Sequence, residues 1–179
     1  NNIQEFLSGL NYEFVRFYTP QQARSYNISP NQYIQCQFDD FVVGQSSIYE
    51  KEQEIRKDSF IVKTSKVGGK DVNEYSTVKA TLHTFTKTLT SSGLLDLRIV
   101  DTYSGSTLSQ SKLPGTYVWE TRWGNFNGDE RALSAEQKKI IGLREAYPPA
   151  PQDLFIEFTK PIFGQVNNAL RNYYNNYRL

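Results

Sequence analysis

One histidine and one cysteine, His83 and Cys36, are the chain's whole supply of the residues that most often build nucleophilic sites. Such catalysis needs a base within hydrogen-bond reach of the nucleophile, and histidine fills that role most often. His83 stands beside Leu82 in an alternating run, which reads as an outward position on a strand. Cys36 lies in an apolar alternating run, where a small buried hydrophobe is its common role. Zinc sites draw on several Cys and His at set spacing, so no metal site is expected. Gly68-Gly69-Lys70 lacks the upstream glycine and the following hydroxyl residue of a phosphate loop. It reads as turn chemistry, and no cofactor is expected.

Carboxylates are more numerous. Asp39-Asp40, Asp96, Asp101, Asp129-Glu130 and Glu157 contain candidates for a glycosidase-like acid/base pair, whose separation would decide the chemistry. With 19 Asp and Glu in the chain such pairs are unavoidable on paper, so structural roles are the default. Trp119 to Ser134 is denser in both ring surface and oriented polar groups. Trp119, Trp123, Asn125, Phe126, Asn127, Asp129, Glu130 and Arg131 are the candidate binding residues. In a structural reading the rings cap the end of a sheet, Asn127-Gly128 turns the chain, and an acid pairs with Arg131 or a helix N-terminus. In a second reading the rings and the arginine anchor a partner or a saccharide. In a third, Asn125, Asn127 and Asp129 mimic the start of a calcium loop, but its glycine and its terminal bidentate Glu are missing.

These residues must be held by elements that the hydrophobic pattern outlines. A short helical face of Ile3, Phe6, Leu7 and Leu10 is followed by Thr19-Pro20, an N-cap with proline at the first helical position, opening a short helix over 21–26. Tyr33 to Gln45 reads as a strand, and the charged run from Ile48 to Lys57 as a solvated edge or hairpin arm. Ser59 to Lys66 and a return arm from Tyr75 to Thr90 flank Gly68-Gly69, a hairpin signal. Phe85 and Leu89 have the opposite parity to Val78, Ala80 and Leu82, which predicts a bulge or an exit from the core near Thr84. Turns are predicted at Ser91-Ser92-Gly93 and at 102–106, with strands over 94–101, 108–113 and 115–123. A polar loop is predicted from Gly124 to Arg131. Ser134 and Gln137 then fit a capping box for a helix ending near Ala146. Beyond Pro148-Pro149-Ala150-Pro151, apolar residues from Phe155 to Tyr177 recur at spacings of three and four, one face of a helix. Pro161 predicts either a kink or a helix starting near Lys160.

The expected fold is therefore α+β: an antiparallel β-meander sheet packed on one face by a long C-terminal amphipathic helix. At 179 residues the chain suits a single domain over 1–179, with an irregular and helical segment over 1–31, a sheet over 33–123 and helices over 134–179. Lys and Arg number 20 against 19 Asp and Glu, which gives no field to gather nucleic acid or anionic lipid. No nucleic-acid partner is expected. No apolar stretch approaches the roughly 20 residues of a membrane helix. Methionine is absent even at position 1, which reads as a mature or trimmed product or an expressed fragment, and membrane association is expected only through an anchor outside this sequence.

The unit Leu95-x-Leu97-x-Ile99-Val100-Asp101 with Ser104-Gly105, followed by Gly115-x-Tyr117-x-Trp119, resembles the strand-turn-strand frequent in bacterial envelope lipoproteins, including CsgG-like and TolB N-terminal-like domains. The run from Trp123 to Ser134, with Pro148-Pro149 and the closing amphipathic helix, resembles a family of exported Bacteroidetes cell-envelope proteins. That resemblance implies a periplasmic or outer-membrane-associated location and carries no activity over to any position. The grouping of strands before helices departs from the CsgG-like order. The expected function is a non-enzymatic envelope protein that binds another envelope protein or a surface polymer through the segment after Trp119. The alternative is a carboxylate-dependent glycan hydrolase.

Overall fold

A computed structural model of the chain describes residues 15–175, so the expected helical face of Ile3 to Leu10 lies outside the described residues. Three long strands, β1 (Gln32–Val67), β2 (Lys70–Asp101) and β3 (Thr107–Gly128), form an antiparallel sheet in the order β1-β2-β3. Around them stand α1 (Pro20–Ser25), a 3-10 turn (Glu130–Ala132), α2 (Ala135–Ile141) and α3 (Pro151–Asn175). The fold is α+β, a meander with the C-terminal helix packed on it.

Segments that read as separate strands are fused. Ser91-Ser92-Gly93, expected as a turn, continues β2, because none of the three adopts the left-handed backbone a tight turn would demand. Ser91 is fully buried instead, and its hydroxyl accepts the Gly44 N–H at 2.9 Å. Pro114 does not divide β3, since β3 is an edge strand, where a missing N–H need cost no ladder bond. The loop expected from Gly124 to Arg131 is likewise strand as far as Gly128. Contacts divide the chain into two compact units, residues 1–44, 90–117 and 149–179, and residues 45–89 and 118–148.

In the first unit, Thr19 and Gln22 form a reciprocal capping box that opens α1, so two otherwise orphaned N–H groups are satisfied by side chains. The core lies under α3. Leu154, Phe158, Ile162, Val166, Leu170 and Tyr174 are buried at a strict spacing of four, and those from Phe158 onward form one cluster with Leu95, Leu97, Ile99 and Leu113 of the sheet. At about 100° per residue each step of four advances about 40°, so the stripe turns by roughly 200° along the helix. A single flat surface could not cover it. Ile34, Phe38 and Val43 of β1, Tyr117 of β3 and the segment carrying Val15 and Phe17 complete the cover. Close approach is allowed by two glycines: a Cβ on Gly93 would meet the Phe158 ring at 2.8 Å, and one on Gly115 would meet the Phe158 carbonyl and Ile162. The helix starts at Pro151 and runs through Pro161, rather than starting near Lys160. Proline at the first helical position gives up only an N–H that would have no helical partner.

The second unit has its own core of Val78, Ala80, Leu82, Ala132 and Leu133, joined by Ile55, Phe60, Phe126 and Ile141. The core positions of β2 are thus even-numbered here and odd-numbered at Leu95, Leu97 and Ile99 under the C-terminal helix, a change of phase across the region where parity predicted one. Gly68 and Gly69 have φ of +59° and +83° and close the β1–β2 hairpin, the backbone that a two-residue hairpin turn requires. The Asp129 N–H donates to Lys79 O at 2.8 Å where β3 ends, and Ile61, Val67, Val72 and Tyr75 are exposed on the arm beyond. α2 opens with the predicted Ser134–Gln137 capping box but ends at Ile141, short of Ala146. Gly142 caps it, a poor helix former, and the following residues bond to the sheet instead. The Ala146 N–H donates to Thr121 Oγ1 at 3.3 Å, and Lys87 Nζ pairs with Glu145 at 2.6 Å.

Candidate functional site

All eight candidate residues lie in the second unit, and β3 separates them by parity. Phe126 turns toward the core cluster with Val78, Ala80 and Leu82. Successive strand residues face opposite ways, so Trp119, Thr121, Trp123, Asn125 and Asn127 share the other face. Trp123 stacks on Phe85 of β2 with centroids 5.6 Å apart and planes 18° from parallel. Trp119, Trp123 and Phe85 are half-buried, while Asn125 and Asn127 are exposed. Two indoles, a phenyl ring and two amides therefore stand along one row. Phe85 entered the sequence reading only as a residue of changed parity; its stacking partner was not legible from spacing along one strand.

The remaining three candidates are occupied in holding the corner after β3. The Asp129 side chain accepts the Arg131 N–H at 2.9 Å and so caps the 3-10 turn. It also takes the Arg131 guanidinium, from Nε at 2.9 Å and Nη2 at 2.5 Å. Hydrogen bonds from the Arg131 side chain and then its backbone hold the Asp129 carboxyl down at about 2. The same partnership raises Arg131. The guanidinium carbon sits 5.1 Å from the centroid of the Phe60 ring, a cation–π contact. Glu130 pairs with Lys138 at 3.2 Å. With both Asp129 oxygens taken by arginine, the calcium-loop reading loses its strongest ligand.

Other sites of potential chemistry are similarly engaged. Asp96 is 3% exposed and accepts from Gln110 at 2.8 Å and from Arg98 at 2.6 Å, with Lys112 at 3.3 Å. Lys112 also bonds Asp39, which links β1, β2 and β3 through one polar network in the first unit. Hydrogen bonding, led by Gln110, lowers Asp96. Asp101 is lowered by the Ser104 N–H and hydroxyl, and Asp58 by Thr77 and Arg56. A general acid needs the opposite displacement, so none of Asp58, Asp96, Asp101 and Asp129 has the character of a glycosidase proton donor. His83 Nδ1 lies 3.0 Å from Glu50. Cys36, expected to be buried, is exposed, although Ile34 and Phe38 on either side of it pack against the core. Partial desolvation nonetheless pushes its thiol up, which makes it a poorer nucleophile. Among the described residues, no three His, Cys, Asp or Glu side chains are grouped to hold a metal ion, and no helix is long and apolar enough to cross a membrane. Comparison with protein-family models, with curated proteins and with solved structures gives no match.

Proposed function

We propose that this chain is a non-enzymatic binding protein of the bacterial cell envelope, periplasmic or outer-membrane-associated, holding a protein partner or a surface polymer on the ring-bearing row of β3. The supporting observation is the stack of Trp123 on Phe85, in line with Trp119, Asn125 and Asn127. Half-exposed rings provide flat apolar area at small entropic cost, and flanking amides provide hydrogen bonds that orient what lies on it. The envelope location rests on the resemblance of the run from Trp123 to Ser134 to exported Bacteroidetes proteins.

Capture from solubilised native envelope, after chemical cross-linking, tests the reading with wild type, Trp119→Ala and Trp123→Ala. Both variants should lose the captured species. Phe126→Ala, which weakens the core behind the same strand, should keep it at low temperature. Equal capture by wild type and both tryptophan variants would return the rings to a purely structural role.

A further inference from the structure

The outer margin of β3 in the first unit offers a second surface. Pro114 orients it: lacking an N–H, it gives its carbonyl to Gln165 Nε2 of α3 at 2.7 Å, so its backbone faces outward. Residues two apart along a strand point their backbone groups the same way, so Lys112, Gln110 and Leu108 also turn their N–H and C=O to the open side. Beside this margin runs a groove of about 570 Å³, with Ser109, Ser111 and Leu113 on one wall and Gln165, Asn168 and Asn172 on the other.

We propose that this margin and groove bind an extended peptide by strand addition, with uncharged hydroxyl or amide side chains of the peptide entering the groove. The named walls hold no charged side chain, so a charged group entering would be desolvated without a counter-charge, whereas hydroxyls and amides find both donors and acceptors. Lys112, on the opposite face of the strand, is engaged by Asp39 and Asp96. The usable edge from Leu108 to Lys112 is about 16 Å long at about 3.3 Å per residue. It is closed by the turn before Thr107 and by the Gln165 bond at Pro114. So short an edge buries far less than the roughly 1,200 Å² a stable dimer needs, but it suits a short peptide. A peptide strand is therefore the occupant, rather than a second copy of the chain.

The probe is a fluorescein-labelled capped hexapeptide of alternating valine and asparagine, titrated with the full chain by anisotropy. Its twin, N-methylated at alternate residues, removes the donors of one edge. Binding of the parent should saturate, and the twin and the variant Leu108→Pro should each bind about tenfold more weakly, the loss expected from one or two hydrogen bonds. Asn168→Trp, which fills the groove without touching the strand backbone, should weaken the parent similarly and guards against misfolding of the proline variant. A peptide with glutamate in place of asparagine should bind more weakly than the parent. Failure to saturate, or equal binding by the twin and by both variants, would overturn the proposal. So would a dimer in sedimentation equilibrium that Leu108→Pro dissociates, since the occupant would then be a second copy.

Discussion

The seat of α3 on the sheet can be tested through the two glycines beneath it. In Gly93→Ala the new methyl meets Phe158 Cε2 at 2.8 Å, Phe41 Cβ at 3.1 Å and Phe158 Cζ at 3.3 Å. Overpacking of this kind costs about 1–3 kcal/mol, and removing a strand glycine returns about 0.5–1, so a net loss of about 1–2 kcal/mol is expected. Two of the three contacts belong to the Phe158 ring, which is fully buried. Phe158→Leu removes ring atoms and should itself cost about 1–2 kcal/mol, less than the 3–5 of a truncation to alanine. The double variant should then be more stable than additivity predicts by about 1 kcal/mol, with the contact to Phe41 preventing full rescue. Gly115→Ala behaves differently. Its methyl would meet the backbone carbonyl of Phe158 as well as Ile162, and no change of the Phe158 side chain can relieve that carbonyl contact. Urea unfolding followed by circular dichroism measures each of these variants. Strict additivity of Gly93→Ala with Phe158→Leu, or equal rescue of Gly115→Ala, would refute the account of helix seating.

Three further outcomes follow from named contacts. Asp129 has its carboxyl lowered to about 2 from an ordinary value of 3.8, so its stabilisation is present above about pH 4 and disappears as pH falls toward 2; Asp129→Asn should flatten that limb in an acid titration of stability. Ser134→Ala removes the hydroxyl that accepts the Gln137 N–H and should cost about 1 kcal/mol by chemical denaturation. Gly69→Val places a β-branched residue at φ +83° and should cost about 1–2 kcal/mol, while Gly68→Asn at φ +59° should be tolerated, as amide exchange of the hairpin would report.

Elements defined by local chemistry were legible in the sequence. The Thr19 N-cap and the Ser134–Gln137 capping box stand where the sequence placed them, because a cap depends on residues a few positions apart, while the part of Gln22 in a second box emerged only from the structure. The Gly68-Gly69 hairpin is local in the same sense. Strand continuity was not legible. Ser91-Ser92-Gly93 has turn composition, yet its small residues serve the approach of α3, whose Phe158 ring fills the space a side chain on Gly93 would occupy. Pro114 reads as a break only until β3 is known to be an edge. Glycine, serine and proline have meanings that depend on the neighbour across space, and a linear pattern does not contain that neighbour.

The same limitation explains the divided fate of the segment from Trp119 to Arg131. Its composition mixes rings, amides and charges, and composition alone assigns them to one loop. Strand geometry instead sorts them at every second residue: Phe126 goes to the core, while Trp123 and its odd-numbered neighbours go to the other face. The charged trio lies past Gly128, whose φ of +107° ends the strand against the Lys79 carbonyl. There Asp129 and Arg131 satisfy each other, and a pair that has spent its hydrogen bonds internally has little left for a ligand. In the proposed function, recognition is left to groups with unspent surface, the two tryptophans and the exposed amides. Loss of capture should consequently track Trp119→Ala and Trp123→Ala, whereas Asp129→Asn should register in acid stability and leave capture at neutral pH intact.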